Sequence, residues 1–290
     1  MPITGRPSMW FAVSVPNFAE YADPRTVADL ASVAERAGWD GFFVWDHLVI
    51  DRGWVLDVGD PWIILAAVAA ATERIRLGPT VTPLPRRRPW HLAREAVSLD
   101  QLSGGRLVLG VGIGSPPEAE FGTFGEPEDL RTRAEMLDEG LTILDGMWTG
   151  EPFAFEGRHY RVKEASFRPR PVQRPRIPIW VATTWPREGP LRRAARWDGA
   201  APMKLLDGEL AFLDPDDVRA LCATIESTRG TLDGFDILVG GETPGDPAAG
   251  ASLVEPFALA GATWWAESVN PRRGPLEDMR DRIGQGPPRV

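Results

Sequence analysis

The chain has 290 residues, 43% hydrophobic and 25% charged, a composition that supports a large buried core. A formal net charge of −9 argues against nucleic acid and anionic membranes as partners, and the single cysteine, Cys222, excludes an intrachain disulfide. No apolar run reaches the roughly 18 residues of a membrane span. Residues 1–8 are too polar for a secretory signal, so the expected location is cytoplasmic.

In chain order, a first strand is predicted over residues 10–15. Asp23-Pro24 then opens a helix with Val27, Leu30, Ala31 and Ala34 on one face, and Gly38 stands where a left-handed C-terminal residue belongs. The run 41–45 is short and apolar, as a buried parallel strand is. Asp60-Pro61 opens a second helix over 61–72, followed by a strand over 75–81, a helix over 90–102 and a strand over 106–111. Residues 131–148 form a strong helix through Met136, Leu137, Leu141, Leu144 and Met147. Then come a strand (177–182), a helix (190–197), a weak strand (199–202) and the Asp214-Pro215 helix (215–227). The chain continues with a strand (235–239), the Asp246-Pro247 helix (247–260), a strand (262–266) and a last helix (275–283).

Eight strands alternating with eight helices predict parallel strands joined by right-handed crossovers, and eight such units close into a (β/α)8 TIM barrel. One domain over residues 1–290 is expected. One excursion breaks the alternation. Residues 152–155 and 159–162 flank Glu156-Gly157-Arg158 and read as a small hairpin before strand five, expected as a structural flap over the barrel bottom.

In such a barrel the functional loops follow the strands. The long ones are 46–60, 112–130 and 203–215. His47 ends strand two at the barrel mouth, where an imidazole serves as acid, base or hydrogen-bond donor; a purely structural role fits its position as well. His91 reads as a capping or surface residue, and His159 as part of the hairpin. Histidine spacing and the lack of a cysteine cluster give no support for a metal site. In Gly110-Val111-Gly112-Ile113-Gly114-Ser115 the alternate glycines clear one strand face for a flat ring or for tight packing. Thr80 and Thr82 share a parity, so both hydroxyls are expected at the mouth.

These segments together resemble the luciferase-like flavin- and deazaflavin-dependent oxidoreductase family. The resemblance runs through Gly38–His47, Thr72–Gly78, Thr82-Pro83, Arg88-Pro89, Leu99–Arg106, Leu109–Gly112, Glu126–Trp148, the hairpin and Pro171–Ala182; it is thin after Gly199. It implies the barrel fold, a homodimer formed through outer barrel helices, and a cofactor ring in the barrel mouth. His47 would act on the reacting group, and Asp46 would touch ring and substrate. Pro79, Thr80 and Thr82 would meet the ring, with a non-prolyl cis peptide at Pro79–Thr80. Gly112, Gly114 and Ser115 would form the next wall, while Ala182, Thr183 and Thr184 would hold the cofactor's phosphate or side chain. Asp46-His47, where flavin mononucleotide (FMN) monooxygenases more often carry Glu-His, points to coenzyme F-420 (F420). The reaction implied is hydride transfer to or from a small organic substrate; FMN-dependent monooxygenation is the alternative.

Two departures stand out. Thr184-Trp185 replaces the small residues of the phosphate loop, so Trp185 is expected to crowd it. Ser115 stands where some deazaflavin dehydrogenases carry an acid, which argues against a sugar-phosphate dehydrogenase. Both keep open a further reading, a cofactor-binding barrel without catalysis.

Overall fold

A computed structural model describes residues 9–50 and 56–290. Residues 1–8, with the expectation about a leader, and part of the loop after strand two lie outside it. The elements follow as β1 (Trp10–Val15), α1 (Pro24–Ala37), β2 (Gly41–Val44), α2 (Pro61–Ala71), β3 (Arg76–Pro79), β4 (Thr82–Pro83), α3 (Pro89–Leu102), β5 (Leu109–Gly112), α4 (Pro117–Glu120) and α5 (Leu130–Trp148). After the hairpin β6 (Pro152–Glu156) and β7 (Arg161–Ser166) come β8 (Ile179–Trp185), α6 (Glu188–Ala194), β9 (Gly199–Leu206), β10 (Glu209–Ala211), α7 (Pro215–Arg229), β11 (Asp236–Gly241), α8 (Pro247–Ala260), β12 (Trp264–Ser268) and α9 (Leu276–Gly284).

All four Asp-Pro pairs start helices. The carboxylates of Asp23, Asp60, Asp214 and Asp246 each accept a first-turn N–H, and each proline fills a position that needs none.

The parallel strands run in the order β3-β2-β1-β12-β11-β9-β8-β5-β4. The two ends meet, because the Leu77 N–H donates to the Arg106 carbonyl at 3.2 Å and the Val108 N–H to the Leu77 carbonyl at 2.9 Å. β3 and β4 are thus two pieces of one stave, and eight staves close the TIM barrel. The seam depends on glycine: a Cβ on Gly78 would stand 1.8 Å from the Val108 carbonyl oxygen, and one on Gly110 would stand 2.2 Å from that of Pro79.

Side-chain alternation sorts the interior into layers. The lower layer is aromatic: Trp10, Phe43, Trp180 and Trp264 pack with ring centroids 5.4–6.0 Å apart. Further along the strands the same face carries Ser14, Trp45, Gly112, Ala182 and Gly240. The barrel is therefore plugged by aromatic rings below and lined mostly by small residues above, at the C-terminal ends of its strands. The opposite face of the strands packs against the helices through the main core.

Three expectations are corrected. The β6–β7 hairpin does not cover the barrel bottom. Its turn reaches the middle of α5, where the Glu139 carboxylate accepts the N–H groups of Arg158, His159 and Tyr160. Phe153, Phe155 and Val162 pack towards the core, and Gly146 makes room for the Phe153 ring, so apolar contact holds the hairpin along the barrel flank. The non-prolyl cis peptide lies at Thr80–Val81, one residue beyond the expected bond. And β9 runs on to Leu206, past the predicted end at 202, because β10 pairs with it antiparallel.

Candidate active site

His47 follows β2 at the barrel mouth, and its backbone is fixed from β1. Its N–H donates to Asn17 Oδ1 at 3.1 Å, and Asn17 Nδ2 donates back to the His47 carbonyl at 2.8 Å. The imidazole is 23% exposed, and Nδ1 lies 2.8 Å from Glu120 Oε1. A carboxylate only accepts, so Nδ1 carries the proton and Nε2 is the basic atom left for the mouth. Among the described residues Nε2 has no hydrogen-bond partner. Phe18 and Trp45 flank the ring with centroids 6.0 and 6.3 Å away, and Trp45 Nε1 donates to Ser14 Oγ at 2.9 Å.

Behind His47 lies a buried ionic network. Glu120, at the end of α4, is 1% exposed and accepts from His47, the Leu48 N–H and Arg86. The Arg86 guanidinium bridges Glu120 to the Asp46 carboxylate and also donates to the Asp46 carbonyl at 2.8 Å. Asp46 accepts further from Thr82 Oγ1 at 2.7 Å and Arg87 Nη2 at 3.0 Å. Asp46 and Glu120 meet Arg86 and Arg87, and Glu95 lies 3.5 Å from Arg87, so no charge is buried without an opposite partner.

The other candidates fall into three groups. Asp46 and Thr82 are joined to each other inside this network, and Thr82 is fully buried. Because the stave breaks between β3 and β4, the parity linking Thr80 to Thr82 does not carry across. Thr80 has a buried hydroxyl with no hydrogen-bond partner. Pro79 sits at the seam, with its carbonyl against Gly110. Gly112 and Ala182 face one another: a Cβ on Gly112 would come 3.1 Å from Ala182 Cβ and 2.8 Å from Val81. Gly114 has φ +81° and lies under the Phe121 ring. Ser115 is exposed in the loop before α4. On β8, Thr183 has a second buried hydroxyl without a partner, and Thr184 has the strand parity of Trp180 and Ala182. Trp185 turns away from the mouth and donates to Asp217 Oδ1 at 2.9 Å, so the expected crowding does not arise.

Sequence reasoning missed Asn17, Val81, Arg86, Arg87 and Glu120. It also missed Arg133, which is buried and holds the glycine loop through the carbonyls of Ile113 and Gly114 at 3.0 and 2.7 Å. Glu120 sits 73 residues from His47, and no local pattern marks it. Position on the long loop after strand four was the one available signal.

A family model described as luciferase-like monooxygenase matches residues 9–227. The chain belongs to the luciferase-like monooxygenase family. Within it, a protein named F420-dependent glucose-6-phosphate dehydrogenase from Nakamurella multipartita is 38% identical over 175 residues, covering 58% of this chain and 49% of that one. A protein of the same name from Nocardia farcinica is 36% identical over 187 residues, covering 63% and 53%. The match thus spans about half the length of these luciferase-like relatives. Among solved structures, the coenzyme F420 dependent tetrahydromethanopterin reductase of Methanopyrus kandleri superposes with a TM-score of 0.76 at 19% identity, covering 96% of both chains. Monooxygenase RslO1 of Streptomyces bottropensis gives 0.73 at 21% identity, covering 95% and 96%. At these identities the two structures show the shared barrel fold of the luciferase-like family.

Proposed function

We propose that this chain is a cytoplasmic oxidoreductase, a single barrel domain that binds coenzyme F-420 in the upper barrel layer and catalyses hydride transfer to or from a small organic substrate. The observation that carries the reading is His47. One ring nitrogen is fixed by Glu120, and the other is left for the mouth, above a layer of small residues.

The residues present fit a flat cofactor. The unpartnered hydroxyl of Thr80 supplies a hydrogen bond that the protein itself does not use; that of Thr183 stands on the opposite strand parity from Ala182 and Thr184. Gly112 and Ala182 would form one wall for the ring with Pro79, Val81 and Ser115 beside it, and Gly114 lets Phe121 pack behind that wall. Thr183 and Thr184 would hold the polar tail, while Asp46 and Thr82 keep the wall in shape. The relatives named F420-dependent support this choice of cofactor. When bound, the deazaflavin supplies a hydride acceptor or donor. His47 Nε2 takes the substrate's hydroxyl proton in oxidation and returns it in reduction. The aromatic pair Phe18 and Trp45 screens that proton transfer from water.

Titration of the purified protein with each cofactor tests this. Coenzyme F-420 is expected to bind at micromolar concentration and FMN far more weakly. Tight binding of FMN with none of coenzyme F-420 would establish the FMN monooxygenase instead, a reading the matched family model supports. A cofactor that binds but exchanges no hydride with any donor or acceptor would mark a non-catalytic barrel.

We also propose a homodimer through α2. Its sequence, Pro-Trp-Ile-Ile-Leu-Ala-Ala-Val-Ala-Ala-Ala, is apolar on every face, and a helix apolar all round is ordinarily buried all round. Yet Ile63 is 62% exposed and Ala70 shares its face. Sedimentation should give a dimer at micromolar concentration, and Ile63→Arg should give a monomer. A monomeric wild type would contradict the proposal.

A further inference from the structure

We propose that the β9–β10 hairpin and the aromatic pair beside His47 form a pocket for an uncharged, apolar substrate and not for a sugar phosphate. This inference rests on the oxidoreductase reading above and specifies its substrate class.

The hairpin is an extension of the barrel wall. β9 pairs with β8 as far as Lys204↔Trp185, then continues past the rim, where Leu205 pairs with Leu210 of β10. Asp207 and Gly208 close it with φ of 51° and 85°, the two positive values of a tight hairpin turn. Strand order places it between β8 and β11, over the same barrel end as His47.

This extension is apolar. Leu205, Leu210 and Phe212 are 40–52% exposed and share the inward face of the hairpin, while Leu206 stands on the outward face. Scattered exposed leucines are ordinary, but a contiguous cluster beside a site marks a binding surface. Phe212 is seated by Gly240, whose missing side chain is replaced by the ring: a Cβ there would lie 2.6 Å from Phe212 Cε1. Gly240 has the strand parity of Leu238, which faces the barrel interior. Phe212 therefore caps the interior at β11, while Phe18 and Trp45 form an aromatic wall at β1 and β2.

The inward face of the hairpin, Met203, Leu205, Leu210 and Phe212, carries no charge. The one lysine between residues 204 and 217 stands on the outward face with Glu209, beside Trp185. Lys204 is already neutralised, donating to Asp214 at 2.8 Å and to Asp217 as well. A dianion here would find no cation on the hairpin's inward face, whereas an apolar body would cover leucine and phenylalanine surface now open to water.

The test uses the full chain and two probes, 1-phenylethanol and glucose 6-phosphate, with saturation-transfer NMR and calorimetry in the presence and absence of coenzyme F-420. Phenylethanol is expected to bind at least tenfold more tightly than glucose 6-phosphate. The double variant Leu205→Ser/Leu210→Ser should lose about tenfold in phenylethanol affinity while its affinity for coenzyme F-420 stays unchanged. Because binding is read without the cofactor too, a failure of coenzyme F-420 to bind would sink the cofactor reading while leaving the apolar pocket to be judged separately. Tighter binding of the sugar phosphate, or an unaltered double variant, would overturn the inference. So would a double variant whose one change is a lower sedimentation coefficient, since the hairpin would then be a contact between copies of the chain.

Discussion

A histidine does acid–base work only when its tautomer is fixed, and here a residue far away in sequence fixes it. Glu120 holds the Nδ1 proton of His47, and Arg86 holds Glu120. His47→Ala is expected to lower turnover by about 10²–10⁴-fold, the usual scale for a general acid–base group, with little loss of cofactor affinity. A stable variant with unchanged turnover would end the assignment. Glu120→Gln should act differently. An amide in that place can donate as well as accept, so the tautomer is no longer dictated. The imidazole ¹⁵N spectrum should then show mixed or inverted tautomers, together with a fall in turnover. Glu120→Ala should instead destabilise by about 3–5 kcal/mol, because it leaves the buried Arg86 short of a partner. His47 itself was legible in the sequence from its place at the end of a buried strand. Its partners were not, since nothing in a linear pattern shows which side chains of other loops will converge.

At the scale of elements, boundaries were legible wherever one residue forces them. Asp23-Pro24 and Gly38 bracket α1 as predicted, and the other Asp-Pro starts held for the same capping reason. Elements whose limits depend on a neighbour were not legible: β9 lengthens because β10 exists, and β4 separates from β3 where the stave breaks. The link from α1 to β3 shows another such dependence. Burial raises the Glu35 pKa. However, the backbone N–H groups of Ile75, Arg74 and Glu73 point at this one carboxylate and hold it below its ordinary value of 4.5. A depressed pKa means that the unfolded chain takes up the proton more readily. The stability from Glu35 is therefore present above about pH 4.5 and is lost as pH falls through the lower folded value. Glu35→Gln should cost about 1–2 kcal/mol at pH 7, the scale of hydrogen bonds to a charged group. The gap to wild type should close on acidification, as followed by urea unfolding at pH 7 and pH 3.5. An equal gap at both pH values would show that the carboxylate's charge contributes nothing.

For the whole molecule, strict βα alternation made the closed barrel predictable, but the place and means of closure were hidden. Closure is made where β3 meets β5, and there two backbones approach more closely than any side chain permits. A Cβ at Gly78 would stand 1.8 Å from the Val108 carbonyl oxygen, a fixed backbone atom that no rotamer change can move aside. Gly110 is under the same constraint from the Pro79 carbonyl, so the glycine-rich segment serves closure at Gly110 and leaves Gly112 for the mouth. Gly78→Ala should force the seam apart and cost about 1–3 kcal/mol or more, on the scale of overpacking. That predicts a melting temperature lower by several degrees. Gly110→Ala should do the same, and the double variant should lose less than the sum, because once the seam has opened for one methyl it has opened for the other. Gly189, in the first turn of α6, is the control: a Cβ there meets nothing within 4 Å, and Gly189→Ala should leave stability unchanged or slightly raised. Hydrogen exchange then locates the effect. In Gly78→Ala the amides of Leu77 and Val108, which make the seam's bonds, should lose protection while those of β11 and β12 keep theirs. Uniform loss across the barrel would mean that the seam is not a local lock but part of one cooperative unit.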